Sequence, residues 1–374
     1  MASRHIAFFL EHAYGQIIPT LGLSAELMRR GHRVSYAVTA SFASAITRFG
    51  ARPIVFQPLD TRPQLFEYTA RADGGHDFNL EDAEFMNVLS KLRALRTEDS
   101  LRQLEQLYAK DRPDVVIHDD CLDFAGKELA KKWDIPKVLH VPDIPDGPPK
   151  FPDDEPVLIS VPRFFHQYAE QLGSNVSFVG FNPEGRREFF KPWKHTRQAS
   201  NTIVACPTTG LPLQIQFSRM IIDAFRDSRW NVILSVSADL DPISEKGQDF
   251  AANLPDNVVV NPHASNLDIL EKERACLFIG QGGVGSTLEA IYCGVPALLL
   301  PVATFHDTTA HRISELGLGM RLHYSEANAQ AIRNDAEALS ADNATLTRVK
   351  RAQQEMRREN GAALGADLIE RELR

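Results

Sequence analysis

The chain has 374 residues, 41 Lys and Arg against 49 Asp and Glu, and a formal net charge of −8. With 43% apolar and 24% charged residues it has an ordinary globular composition. Its mild acidity speaks against a nucleic-acid binder, which needs a basic face. The length suits two domains of roughly 150 residues or more, each able to bury a full core. The longest early apolar run, residues 6–10, is far too short for a membrane span or a signal segment, so a cytoplasmic protein without stable membrane insertion is expected. Cys121, Cys206, Cys276 and Cys293 are widely spaced with no CxxC pair, which excludes a disulfide framework and a zinc ribbon.

In chain order, short apolar runs cover residues 5–10, 33–38, 52–56, 114–118, 136–141 and 176–181. A second series covers 201–205, 231–236, 257–260, 276–279, 296–300 and 319–322. Runs of this length, rich in Val, Ile, Leu and Phe, fit strands buried on both faces. Between them lie helical patterns such as residues 21–30, stopped at Gly31, and 288–292, stopped at Gly294. This alternation predicts parallel, doubly wound sheets. Residues 183–200, polar and punctuated by Pro and Gly, read as a linker. The predicted organisation is a Rossmann-like domain over 1–182, a second over 201–355, and a C-terminal helix over 356–374 returning toward the first domain. Residues 143–156, dense in Pro and acids, predict an exposed loop.

The segment with the clearest chemistry is 276–294, CLFIGQGGVGSTLEAIYCG. A strand ends at Ile279, and Gly280, Gly282, Gly283 and Gly285 precede a helix expected to start near Ser286. Glycines let backbone approach a ligand, and a helix N-terminus offers free N–H groups and partial positive charge; together they suit a phosphate. The spacing matches neither a P-loop nor GxGxxG.

This stretch, with Gly294-Val-Pro-Ala-Leu-Leu-Leu-Pro301, Phe305-His-Asp307 and the HRISELGLG run at 311–319, resembles the donor-binding signature of GT-B glycosyltransferases of family 1, bacterial macrolide and natural-product type. Residues 5–10, 15–21, 27–36, 49–53 and 113–119 resemble the opening of the same family. The resemblance implies two Rossmann-like domains facing across a cleft. It implies an inverting, metal-independent transfer of a sugar from a UDP- or dTDP-sugar to a small-molecule, natural-product-like acceptor. No cofactor is implied beyond the nucleotide-sugar co-substrate; a homodimer stays open. By residue-wise carry-over, Gln281, Gly282, Gly283, Gly285, Ser286, Thr287 and Thr209 would cradle the diphosphate. Glu289 would accept from the ribose, and Pro262 and His263 would flank the base. His306 and Asp307 stand where the family grips sugar hydroxyls.

Three departures from the family bear on mechanism. Gln16 stands where the base is commonly His or Asp, and an amide cannot accept that proton. Gln281 replaces a His, and Phe305 and His306 replace the usual acidic residue and glutamine. His12, in the same first loop, is one replacement base. Asp119, matching the aspartate that orients the base, is another; strand alternation points its neighbours His118 and Asp120 away from it. An acceptor already ionised would need neither. The competing readings are a catalytically silent relative that activates a partner transferase and a sugar-nucleotide epimerase. A nicotinamide dehydrogenase lacks support in the first loop, 11–16.

Overall fold

The apolar runs form strands in a computed structural model that describes residues 2–70 (the side chain of Phe66 excepted), 83–121, 124–194, 201–208, 214–237, 250, 254–262 and 264–374. The strands belong to two units, one reaching to Phe189 and including Glu359–Arg374, the other spanning Phe190–Arg358.

The first unit holds β1 (His5–Phe9), β2 (Arg33–Val38), β3 (Arg52–Val55), β4 (Val115–His118), β5 (Lys137–Val141), β6 (Val157–Ile159) and β7 (Val176–Phe178). They pair in parallel in the order β3-β2-β1-β4-β5-β6-β7. Every residue of β1 and β4 is buried, as expected of central strands covered on both faces. The strand order reverses between β1 and β4. At such a point the connections leave in opposite directions, and a crevice opens beyond the carboxyl ends.

Helix Leu21–Arg29 buries Leu21, Leu23 and Leu27 and is followed by Gly31 at φ +89°. Helix Gly361–Glu372 lies close by, because Gly361 and Gly365 present no side chain. A Cβ on Gly361 would overlap the Val179 carbonyl, and one on Gly365 would meet Leu23 Cδ1 at 3.0 Å. Arg30 then bonds Asp367 at 2.6 Å and Glu370 at 3.0 Å, and His32 Nε2 lies 3.0 Å from Glu370.

The second unit repeats the plan with β8 (Thr202–Cys206), β9 (Asn231–Ser235), β10 (Val258–Asn261), β11 (Leu277–Gly280), β12 (Ala297–Leu299) and β13 (Gly319–Arg321). All pair in parallel, in the order β10-β9-β8-β11-β12-β13. The reversal lies between β8 and β11. Phe217, Ile221 and Phe225 of helix Gln214–Phe225 pack with Trp230 and the sheet to form its core.

Three local expectations are corrected. β6 follows directly on the stretch read as an exposed loop, and Glu155 and Ile144 within that stretch are buried; three residues are too few to show a strand pattern. β7 stops at Phe178, two residues before Gly180 at φ +61°. The helix after β11 starts at Val284, not near Ser286, so Gly285 and Ser286 sit in its first turn. Among the described residues no helix is long and apolar enough to cross a membrane. The four cysteines form no disulfide and are partly buried.

Candidate active site

In the second unit, the loops after β8 and β11 flank the reversal point. Gln281 links them. Its side chain is buried, and its Oε1 accepts from the Thr208 backbone N–H at 2.7 Å. Because that donor is a backbone amide, the orientation of the Gln281 amide is settled and its Nε2 points the other way. Nε2 is buried and has no hydrogen-bond partner among the described residues. Leaving such a donor unmade costs about 1–3 kcal/mol.

Gly282 follows at φ +93°, and a Cβ there would lie 2.4 Å from the His306 carbonyl oxygen. Only glycine permits both this backbone conformation and this approach. Gly283 caps helix Val284–Tyr292 with extended dihedrals and no side-chain capping bond. The first intrahelical bond runs from Thr287 N to the Gly283 carbonyl, so the preceding first-turn N–H groups have no intrahelical acceptor. Ser286 Oγ and Thr287 Oγ1 donate to the same carbonyl at 3.2 and 2.8 Å. The turn is thus held from inside while its amide end stays uncapped.

His306 is buried, with Nε2 3.4 Å from Thr208 Oγ1. Burial pushes it down to about 3, so it is neutral and braces the glycine turn through its backbone. Asp307 accepts from Arg321 Nε and Nη2 at 2.6 and 2.7 Å, a bidentate pair. Glu289 is buried in helix Val284–Tyr292. Its charge reaches Cys206 at the end of β8, whose thiol is pushed up to about 12, chiefly by burial, while the Asn266 amide donates to its sulfur at 3.3 Å. After β10 the Asn261 side chain closes a turn on Ala264, accepting from its N–H at 3.0 Å, beside the half-buried Pro262. Thr209 and His263 lie outside the described residues. Gln281, Gly282, Gly283, Ser286, Thr287 and His306 therefore gather at one turn, joined by Thr208.

In the first unit, Asp119 follows β4. It is buried, and its carboxylate accepts from the backbone N–H groups of Glu11 at 2.8 Å and Cys121 at 3.2 Å. Burial pushes it up to about 7, and the nearby Glu11 charge adds to that. His118 and Asp120 do turn away from it. His118 Nε2 lies 2.7 Å from the fully buried Glu155, and its Nδ1 lies 3.4 Å from Asp120. Burial works against charging His118, but Asp120 and Glu155 outweigh it and raise it to about 9.

His12 is enclosed. Nε2 lies 3.2 Å from the Ala37 carbonyl, and the ring stands edge-on to Phe56. Burial, with help from Arg96, pushes it down to about 4, so it is neutral. Gln16 lies in the short helix Tyr14–Ile17, and its Nε2 approaches Asp143 Oδ2 at 3.4 Å. Asp143 follows β5. Its side chain is exposed, yet neighbouring protein groups desolvate it enough to push the carboxyl up, to about 6, against the lowering effect of the Gln16 hydrogen bond.

Sequence reasoning missed Asp143, and it missed the ion pair of Glu11 with Arg96 at 3.0 Å, with both side chains buried. Arg96 lies 85 positions from Glu11 in helix Ala83–Leu107, and no local pattern announces the pairing. Among the described residues, no group of three or more His, Cys, Asp or Glu is placed to hold a metal ion.

Comparison with known proteins agrees with this arrangement. Residues 234–365 match the family described as erythromycin biosynthesis protein CIII-like, C-terminal domain. The chain is 31% identical over 407 residues to the NDP-glycosyltransferase YjiC of Bacillus licheniformis, covering 99% of this chain and 98% of that protein. It is 30% identical to the demethyllactenocin mycarosyltransferase of Streptomyces fradiae, covering 98% and 86%. The crystal structure of CalG4, the calicheamicin glycosyltransferase, aligns with a TM-score of 0.75 at 25% identity, covering 100% of this chain and 99% of that one.

Proposed function

This chain belongs to the bacterial macrolide- and natural-product-type glycosyltransferases of GT-B fold, and on that premise we propose an inverting, metal-independent sugar transfer from a UDP- or dTDP-sugar to a small natural-product-like acceptor. The observation that carries the donor half is the Gln281 Nε2, a buried donor without a partner among the described residues, beside an uncapped helix end at a strand-order reversal. A diphosphate is the ligand that satisfies both features. Its oxygens accept from the Gln281 amide and from the first-turn N–H groups, and its charge is stabilised by the positive helix end.

In this reading Gly282, Gly283, Gly285, Ser286, Thr287 and Thr209 shape the diphosphate cradle. Glu289 takes the ribose hydroxyls, Pro262 and His263 flank the base, and His306 and Asp307 lie toward the sugar. As the glycosidic bond to the diphosphate breaks, charge accumulates on the leaving oxygen. Fixed amides already aimed at that position stabilise it without reorganising, which is the task a cation performs elsewhere. On the acceptor side, Gln16 leaves the usual base position without a proton acceptor, so the base is non-standard; Asp119 and His12, the replacements weighed from the sequence, are both buried.

Calorimetric titration of the full chain with UDP and dTDP, in the presence of a chelator, tests the donor half. One of the two should bind, and Gln281→Leu should weaken it about tenfold or more, the loss expected for a hydrogen bond to a charged group. If neither nucleotide binds, or if Gln281→Leu binds as well as the wild type, the donor assignment is wrong. Product stereochemistry read by NMR tests inversion.

A further inference from the structure

We propose that Asp143, on the segment after β5, is the group that takes the proton from the acceptor hydroxyl, with the Gln16 amide holding its carboxylate in place. This rests on the glycosyl-transfer reading above and names a residue within it.

Four groups cluster at the carboxyl ends of β1, β4 and β5, and three are buried. Asp119 is buried and accepts from two backbone N–H groups. His12 is enclosed: its Nε2 faces the Ala37 carbonyl, and its Nδ1, without a hydrogen-bond partner among the described residues, is buried out of reach of an acceptor hydroxyl in solvent. Glu11 is buried and paired with Arg96 at 3.0 Å. Asp143 differs from all three. It is exposed, has no ion pair among the described residues, and is contacted through Oδ2 by Gln16. Gln16 occupies the position where the resemblance places the base. The amide donates to its carboxylate neighbour, so the proton acceptor shifts by one side chain and the site keeps one.

The groups that face Asp143 are the Gln16 amide and the Cys121 thiol, whose own ionisation Asp143 opposes. Desolvation by the surrounding protein raises the carboxyl to about 6, and the hydrogen bond from the Gln16 amide works against that rise. A base poised just below neutrality is ionised at pH 7 yet basic enough to take a hydroxyl proton. In the step, the acceptor O–H gives its proton to Asp143 as the acceptor oxygen bonds the anomeric carbon. The anomeric carbon–phosphate oxygen bond breaks, and its electron pair leaves on the nucleoside diphosphate. Asp143 afterwards releases the proton to water.

The test uses the full chain with UDP-glucose and dTDP-glucose as donors and two sets of phenols, one un-ionised and one nitrated and ionised at the assay pH. Asp143→Asn should lower kcat/KM for the un-ionised phenols by about 10²–10⁴, the usual worth of a general base, and for the ionised phenols by less than tenfold. Wild-type kcat/KM should rise with pH through about 6, and Asp143→Asn should lose that limb. Asp143→Glu should restore part of the rate, and UDP or dTDP affinity should not change. Activity of Asp143→Asn within threefold of wild type, an equal loss on both phenol sets, or an unchanged acid limb would overturn the assignment. Should the wild type neither bind nor turn over either donor, the glycosyl-transfer reading falls and the proposal with it; normal wild-type transfer alongside an intact Asp143→Asn removes Asp143 alone.

Discussion

Gly282→Ala puts the glycine turn under a measurable load. The residue sits at φ +93°, where an L side chain is strained by about 1–3 kcal/mol. Its new Cβ would also stand 2.4 Å from the His306 carbonyl oxygen, against 3.4 Å where ordinary contact begins, so about 1 Å must be found. His306 cannot easily supply it. It is buried in the first turn of helix Thr304–Glu315, its N–H bonded to Ala303. The glycine turn must move instead, and with it the 2.7 Å bond between Thr208 N and Gln281 Oε1, worth about 1 kcal/mol. The expected total is about 2–4 kcal/mol of stability. On the proposal that these groups position the donor, a displacement of that size costs about a hundredfold in kcat/KM. Urea unfolding followed by tryptophan fluorescence reads the first quantity, since Trp193 and Trp230 are buried in this unit. Calorimetry with UDP and dTDP, together with turnover, reads the second. A Gly282→Ala protein that binds nucleotide and turns over within threefold of wild type would refute the reasoning.

Gly285→Ala should behave in the opposite way. Its Cβ meets nothing within 4 Å, and the position is helical. Stability should rise by about 0.4–1 kcal/mol, and nucleotide affinity should fall if Gly285 lines the proposed diphosphate cradle; unchanged affinity would remove Gly285 from the cradle. Glu155→Gln should destabilise the first unit in a pH-dependent way. His118 is raised from 6.5 to about 9, so the stabilisation its proton supplies is complete below about pH 6.5 and is lost as pH rises through about 9. The difference from wild type, of the order of 3 kcal/mol at most, should therefore shrink between pH 6.5 and 9.5 in denaturant titrations; a constant difference would contradict the assignment. Arg321→Met breaks a partly exposed pair and should change stability by no more than about 1 kcal/mol. If Asp307 orients the donor sugar, the same variant should raise the donor KM several-fold, and an unchanged KM would take Asp307 out of the sugar site.

The strands were legible in the sequence because central parallel strands are buried on both faces and must be apolar throughout, as β1 and β4 are. β6 was not, since three residues carry too little pattern and polar, proline-rich sequence precedes them. The glycine turn was legible for a local reason too. A left-handed backbone in contact with a carbonyl admits one residue type, and Gly282 declares that constraint at its own position. The start of the helix was misplaced by two residues, because Val284 carries no capping signal and Gly283 serves as cap without a side chain.

The partners of polar side chains were decided by tertiary structure alone. Glu11 finds Arg96 across 85 positions, Gln16 reaches Asp143 across 127, and Gln281 is turned by the Thr208 backbone across 73. Such pairings depend on which loops the strand order brings together at the reversal points, and no local periodicity encodes that. Burial and backbone conformation act on each residue where it stands, so the sequence by itself determined the alternating α/β pattern and the glycine turn before helix Val284–Tyr292. Hydrogen bonds and proton affinities depend on neighbours, so only the folded chain decided that His12 and Asp119 are enclosed and that Asp143 lies exposed beside Gln16.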